Sequence, residues 1–287
     1  SVFNVSLVYA LRSPYSTALV NRTVHGLLAV PRGMSPWAPA PPSSAPPRAV
    51  LAINGHSGSA YKVMFPPDDD DIYWFGNAAA RWGAADPTAP PTVVFAVSMS
   101  HRAASAFYHD HFNHGDDPAH GNAAHPAILF PPMQTPDWEE DGERVWDAQR
   151  GIDFLQSLPL VAGGRPGGPA CTTVFGLSMG GEVTTLLAAL DERVCVAVPG
   201  GYSPDLDVVY HHGNHPCWLW LRSNVREMLA VSDLHALVAP RPLMVQTGER
   251  DFTYSNRPAP FSGDKQVLDA SGAAYAALAL APRRTQR

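Results

Sequence analysis

Residues 171–190 read CTTVFGLSMGGEVTTLLAAL, and this stretch decides the fold. Its first part, Thr172–Phe175, is strand-like, and its last part, Gly180–Leu190, is helix-like. Between them stands Gly176-Leu177-Ser178-Met179-Gly180, the G-x-S-x-G pattern. A serine hydroxyl is a weak nucleophile until a neighbouring base takes its proton. A sharp strand-to-helix turn pushes that hydroxyl out over the carboxyl edge of a sheet. Small residues two before and two after the serine relieve the crowding that the turn creates. The amide of Met179 then points to where an oxyanion would form, at the positive end of the new helix. The bare pattern is expected about 0.1 times by chance in a chain of this composition, so the strand-turn-helix context carries the argument. The alternative is a glycine-rich turn with no chemistry.

Outward from this stretch, strand-like and helix-like segments alternate. Thr23–Val30 is apolar and extended. Arg48–Asn54 (RAVLAIN) and Thr92–Val97 (TVVFAV) are short apolar runs of the kind that form buried strands. Trp74–Ala85 has Ala78, Arg81 and Trp82 at helical spacing. Glu139–Leu158 repeats Val145, Ala148, Ile152 and Leu155 at three-to-four spacing, with acidic residues crowding its first turn as the helix dipole favours. Further strands are expected at Arg193–Val198 and Pro242–Gln246, and a helix at Gln266–Leu280. This alternation predicts an α/β fold, a mostly parallel central sheet with helices on both faces. A single domain over 1–287 is expected, with a proline-rich loop insert at 31–48 and a histidine-rich excursion at 98–137. Seven prolines fall between Pro31 and Pro47, where neither a helix nor a central strand can persist.

Composition narrows the function classes. The 287 residues carry 20 Lys+Arg against 26 Asp+Glu, a formal net charge of -6, and no basic run. Nucleic acid is therefore not an expected partner. No apolar stretch reaches the roughly 18 residues of a membrane-spanning helix, so no membrane partner is expected. The 3 cysteines are too few for a disulfide framework, and Cys171, Cys195 and Cys217 read as buried or free thiols. Asn4-Val5-Ser6 and Asn21-Arg22-Thr23 fit the glycosylation pattern, a short motif that arises easily. Compartment stays open.

Three segments together resemble the α/β-hydrolases, and within them the dienelactone hydrolase and acetyl xylan esterase-like group. They are GLSMGG followed by LAALDERV, LAINGHSGSA at 51–60, and DLHALVAPRPLMVQTGERD at 233–251. The similarity runs from about Val24 to Leu280 and is weaker over the proline insert and Ser98–Asp137. The resemblance implies an esterase with no cofactor and no metal. It implies a small-molecule ester substrate: an acetylated carbohydrate, or a small ester or lactone. It places a second oxyanion donor on the backbone N–H of His56, with Ser57 as the alternative and as a candidate pocket residue. It places the acid that orients the base at Asp251, with Glu249 as the alternative. A peptidase of the prolyl oligopeptidase type shares this catalytic domain and is the alternative enzymatic reading, but no propeller-like repeats are present.

One member of the expected triad is missing. In this fold the chain order is serine, acid, histidine, and no histidine follows His235. The expectation is a chain truncated before its base, with the final strand and helix absent; the competing reading is a non-catalytic hydrolase-fold binding protein. His211, His212 and His215 come after a strand whose carboxyl end faces the site. His215 resembles a pocket-wall position of the group rather than a substitute base. The cluster His101, His109, His111, His114, His120 and His125, interleaved with Asp110, Asp116 and Asp117, matches no zinc spacing and reads as a polar loop, with metal binding or a substrate-contacting lid as the alternatives. Asp68–Asp71 reads as a solvated turn. Trp74, Trp82, Trp138 and Trp146 read as packing. Arg144 and Asp147 read as partners in surface or structural ion pairs.

Overall fold

The computed structural model describes residues 1–12, 19–41, 47–55, 59–65, 75–85, 89–99, 140–162, 171–207, 227–248 and 262–280. Six strands form one sheet: β1 (Val2–Arg12), β2 (Leu19–Ala29), β3 (Arg48–Ile53), β4 (Thr92–Val97), β5 (Thr172–Leu177) and β6 (Val194–Gly200). Their order is β1-β2-β4-β3-β5-β6. The pairs β1/β2 and β2/β4 are antiparallel, and β4/β3, β3/β5 and β5/β6 are parallel. The helices are α1 (Ala60–Met64), α2 (Phe75–Ala85), α3 (Glu140–Ser157), α4 (Pro159–Ala162), α5 (Met179–Leu190), α6 (Val231–Val238) and α7 (Ser262–Leu280). The mostly parallel sheet with helices on both faces is the architecture that the alternating segments predict.

Successive side chains of a strand point to opposite faces, and the core divides accordingly. Leu51, Ile53, Phe95 and Val97 pack with Ile152 and Leu155 of α3 and Val183 and Leu187 of α5. Val50, Ala52, Val94 and Ala96 pack on the other face with Val63 and Met64 of α1 and with Phe75 and Ala79 of α2. All of β4 is buried, which is why it reads as an unbroken apolar run. A smaller cluster of Tyr202, Leu206, Val231, Leu234 and Val267 joins α6 and α7 to the main body.

Several sequence expectations are corrected. The strand expected at Thr23–Val30 is Leu19–Ala29 and pairs along its whole length with β1, which the sequence reading did not assign. In β1 the odd residues Phe3, Val5, Leu7 and Tyr9 turn towards the core, while Asn4, Ser6 and Val8 are exposed. The apolar Val2, Val8 and Ala10 on the outer side blur that alternation. Pro242–Gln246 is not a full strand: Leu243 bridges to Ala197 and Gln246 to Gly200, both parallel. Met244 is 58% exposed on this outer edge, and among the described residues no strand pairs beyond it.

Cys171 and Cys195 form a disulfide, not the thiols expected. The register between β5 and β6 jumps from Thr172↔Val194 to Thr173↔Val196, leaving Cys195 as the extra residue. A bulge of this kind re-aims a side chain, and here the two Cα atoms stand 5.5 Å apart, a normal disulfide span. Of the two readings of Arg144 and Asp147, surface or structural ion pair, the structure has the structural one. Arg144, Glu143 and Asp147 are all buried. The Arg144 Nη1 atom lies 3.5 Å from Asp147 Oδ2 and 3.6 Å from Glu143 Oε1. The Tyr9 hydroxyl of β1 donates to Asp147, so a buried charge group ties α3 to the sheet edge. Trp146 is not packed in the core: it is 37% exposed, with the Arg150 guanidinium 4.2 Å from its ring centroid. In the proline insert Pro36 is buried and its carbonyl accepts the Leu160 N–H at 3.4 Å.

Candidate active site

Ser178 sits at the corner where β5 ends and α5 begins. Its backbone has φ 57° and ψ -118°, and it is the one non-glycine residue with positive φ among the described residues. An L-residue held there costs about 1–3 kcal/mol, and such strain persists only where surrounding packing fixes it. Burial of Val174, Met179, Val183 and Leu187 on either side of the corner supplies that packing, at about 1.5–3 kcal/mol for each large apolar side chain. The burial outweighs the strain. The Ser178 N–H donates to Gly200 O at 2.8 Å, and Ser178 O accepts the Glu182 N–H at 3.0 Å. Ser178 as a residue is neither fully buried nor fully exposed.

The flanking glycines are fixed by close approach. A Cβ on Gly176 would overlap Gly180 O and the Thr184 hydroxyl. A Cβ on Gly180 would overlap Ile53 O and stand 2.7 Å from Asn54 O. The first turn of α5 therefore lies directly against the end of β3. The chain leaves β3 past Asn54, whose carbonyl lies against Gly180, next to Met179, the first residue of α5, where backbone N–H groups lack intrahelical partners.

Asn54 was not singled out from the sequence, yet it holds that loop. It is fully buried; its Oδ1 accepts the Met99 N–H at 2.8 Å and its Nδ2 donates to Gly55 O at 2.7 Å. Ser98 does similar work, accepting the Ala60 N–H at 2.9 Å. A polar residue at the last position of an otherwise apolar strand, as in RAVLAIN, is the signal that could have found Asn54.

Of the residues the sequence reading proposed for the site, Ser178 and Met179 are described. His56, Ser57, Asp251, its alternative Glu249, and His215 lie outside the described residues, as do His211, His212, the histidine-rich segment from His101 to His125, and Asp68–Asp71. The chain leading to Asp251 is described up to Gly248. Gln246 N–H donates to Pro199 O at 3.0 Å and Gln246 O accepts the Gly201 N–H at 2.8 Å, so this segment leaves the sheet beside the carboxyl end of β6. A cavity of about 400 Å³ lies elsewhere, lined by Asp205, Asp207, Glu227, Asp233 and Val267 among others. Ser178 is not part of its wall, so it is not an acyl pocket.

The quoted APRPL segment has a structural explanation. Arg241 follows the cis Ala239–Pro240 bond and caps two helices at once. Its Nη2 donates to Ala188 O at 2.6 Å and Leu237 O at 3.2 Å, and its Nη1 to Val194 O at 2.7 Å and Asp191 O at 3.1 Å. Carbonyls at helix ends lack intrahelical partners, and a guanidinium fork suits them. Nearby, Arg193 binds both oxygens of Asp191 and reaches Asp153 at 2.5 Å. Burial pushes the Asp191 carboxyl up, and the hydrogen bonds and charge of Arg193 outweigh it and hold the group below its ordinary range.

Comparison with known proteins agrees with this architecture. No family model matches the chain. The Bacillus subtilis (strain 168) protein named "Putative hydrolase YtaP" is 30% identical over 113 residues, 38% of this chain and 36% of that protein. The match thus spans about a third of that relative's length. A glucuronoyl esterase from Caldicellulosiruptor kristjansonii superposes with a TM-score of 0.55 at 14% identity, covering 96% of this chain and 71% of that one. One from Teredinibacter turnerae T7901 gives 0.53 at 16% identity, covering 97% of this chain and 63% of its own. The structure described as a putative acetyl xylan esterase from Bacteroides fragilis NCTC 9343 gives 0.53 at 13%, covering 97% and 67%. At these identities the likeness establishes architecture, and the chain has the α/β-hydrolase fold.

Proposed function

We infer that the protein is a carboxylic ester hydrolase that works through an acyl-enzyme on Ser178. The observation that carries this reading is the strained corner itself, a serine at φ 57° with glycines packed against β3 on one side. Ser178 Oγ attacks the ester carbonyl; the Met179 and His56 N–H groups receive the oxyanion; Asp251 orients the imidazole that takes the serine proton and returns it to the leaving alcohol. Water then repeats the sequence to release the acid. The substrate is an acetylated carbohydrate or a small ester or lactone, in keeping with the esterases whose structures superpose on the chain. The sequence has no histidine after His235, so within these residues the imidazole does not come from the position that follows the acid in this fold.

The test is hydrolysis of a short-chain aryl ester by the full-length gene product, with Ser178→Ala as control. Turnover abolished by the substitution supports the reading. Robust turnover by the 287-residue chain alone, also lost in Ser178→Ala, would refute an external base. The absent histidine is also what favours a second reading, a non-catalytic hydrolase-fold binding protein. Failure of a phosphonate to label Ser178 in the full-length protein supports that one instead.

A further inference from the structure

Beneath the Ser178 corner lies an ionisable side chain that the proposed chemistry does not use. Glu182 stands one turn after Ser178 on α5 and is fully buried. Its Oε1 accepts the hydroxyl hydrogen of Tyr202 at 3.0 Å, and Tyr202 is itself buried. Burying a carboxyl is costly unless hydrogen bonds and charge compensate it. The next α5 positions facing the core, Val183 and Leu187, are apolar. A polar pair at this place is therefore not what packing alone would select.

Tyr202 closes the short segment Gly200–Tyr202, which begins at the last residue of β6. This segment is held on two sides. Gly200 O accepts the Ser178 N–H at 2.8 Å, and the Gly201 N–H donates to Gln246 O at 2.8 Å. Gly201 has φ 58°, a tight turn. A Cβ on Gly181 would stand 2.5 Å from Gly200 O and 2.9 Å from Tyr202 Cβ, so the segment is wedged against the first turn of α5. It lies between the corner carrying Ser178 and the chain that leads to Asp251.

We propose that Glu182 and Tyr202 are positioning residues for ester attack. Their buried hydrogen bond holds Gly200–Tyr202 against α5, and Gly200 in turn fixes the Ser178 backbone and the direction of the Met179 amide. Neither side chain touches the reacting atoms. The proposal rests on the reading of Ser178 as the nucleophile.

Tyr202→Phe removes the hydroxyl and leaves the ring. The full-length gene product and its variants are labelled with a fluorophosphonate and assayed on p-nitrophenyl acetate. For Tyr202→Phe, kcat falls roughly tenfold while KM moves less than about twofold, the loss of one buried hydrogen bond felt at the transition state. The labelling rate of Ser178 falls in parallel. Glu182→Leu loses more activity than Glu182→Gln, which keeps an acceptor for the tyrosine. Equal kcat and labelling rate for Tyr202→Phe and wild type, with only a lower Tm, overturn the proposal and leave a purely structural hydrogen bond. No labelling of Ser178 in the wild type overturns the nucleophile reading first, and this proposal with it.

Discussion

The two ends of β5 are built differently. At the carboxyl end Ser178 is strained, glycines replace side chains, and backbone meets backbone at contact distance. At the amino end the Cys171–Cys195 bond joins β5 to β6, while Arg193 and Arg241 gather carboxylates and helix-end carbonyls. One end holds a conformation that is locally unfavourable; the other holds the strands and helices together. The contrast teaches that a strained corner tolerates its strain because the rest of the same strand is over-secured.

Substitutions at the two ends should therefore separate activity from stability. The largest effect is expected at the corner. Ser178→Ala lowers aryl-ester turnover at least about a thousandfold and leaves Tm unchanged, measured by steady-state kinetics and a thermal melt; a matching loss of Tm would break the contrast. Gly176→Ala forces a side chain into the Gly180 carbonyl and costs about 3 kcal/mol in urea unfolding. Full stability of that variant would mean the corner is looser than its geometry says.

The amino end should respond in stability alone. Replacing both Cys171 and Cys195 by Ser opens a loop with a sequence separation of 24 and lowers unfolding free energy by up to about 3 kcal/mol. Ser178 labelling per folded molecule stays as before. Arg241→Ala strips its side-chain hydrogen bonds to five carbonyl groups, those of Ala188, Asp191, Val194, Leu237 and Val238, and costs about 2 kcal/mol, again without change in labelling. A kinetic defect in either variant would join the two ends that the structure keeps apart.

The smallest effect at neutral pH concerns His235 on α6. It is fully buried, and burial lowers its pKa from 6.5 to about 4. Ser271 donates to Val267 O at 2.7 Å, so the His235 Nδ1–H donates to Ser271 at 2.9 Å. Between pH 6.5 and about 4 the unfolded chain binds a proton at this histidine that the folded chain does not. Its contribution to stability is therefore complete above pH 6.5 and is lost as pH falls through about 4. Urea unfolding at pH 7 and 4.5 should show this fall, and His235→Leu should flatten it. An equal fall in the variant assigns the acid sensitivity to other groups.

Legibility followed range along the chain. The strand-turn-helix around Ser178 was readable because its geometry is set by residues within a few positions: the small residues at 176 and 180 and the apolar runs beside them. Helix α3 was readable from Val145, Ala148, Ile152 and Leu155, all buried as their spacing implies. The β1 strand was not, because exposed Val2 and Val8 hide its alternation. Asn54 was counted only as the end of the apolar run Arg48–Asn54, and its hold on Met99 spans 45 positions.

By itself the sequence determined an alternating α/β chain with buried parallel strands and a serine at a glycine-flanked corner, since period and local sterics act over a few residues. Tertiary structure alone decided that Cys195 turns to Cys171, that Arg144 and Asp147 lie inside, and that Tyr202 meets Glu182. Those outcomes depend on which distant segments share a face of the sheet, 20 positions apart for Tyr202 and Glu182 and 138 for Tyr9 and Asp147. Burial changes what a charge or hydroxyl must find as a partner, and burial is not a property of any one segment.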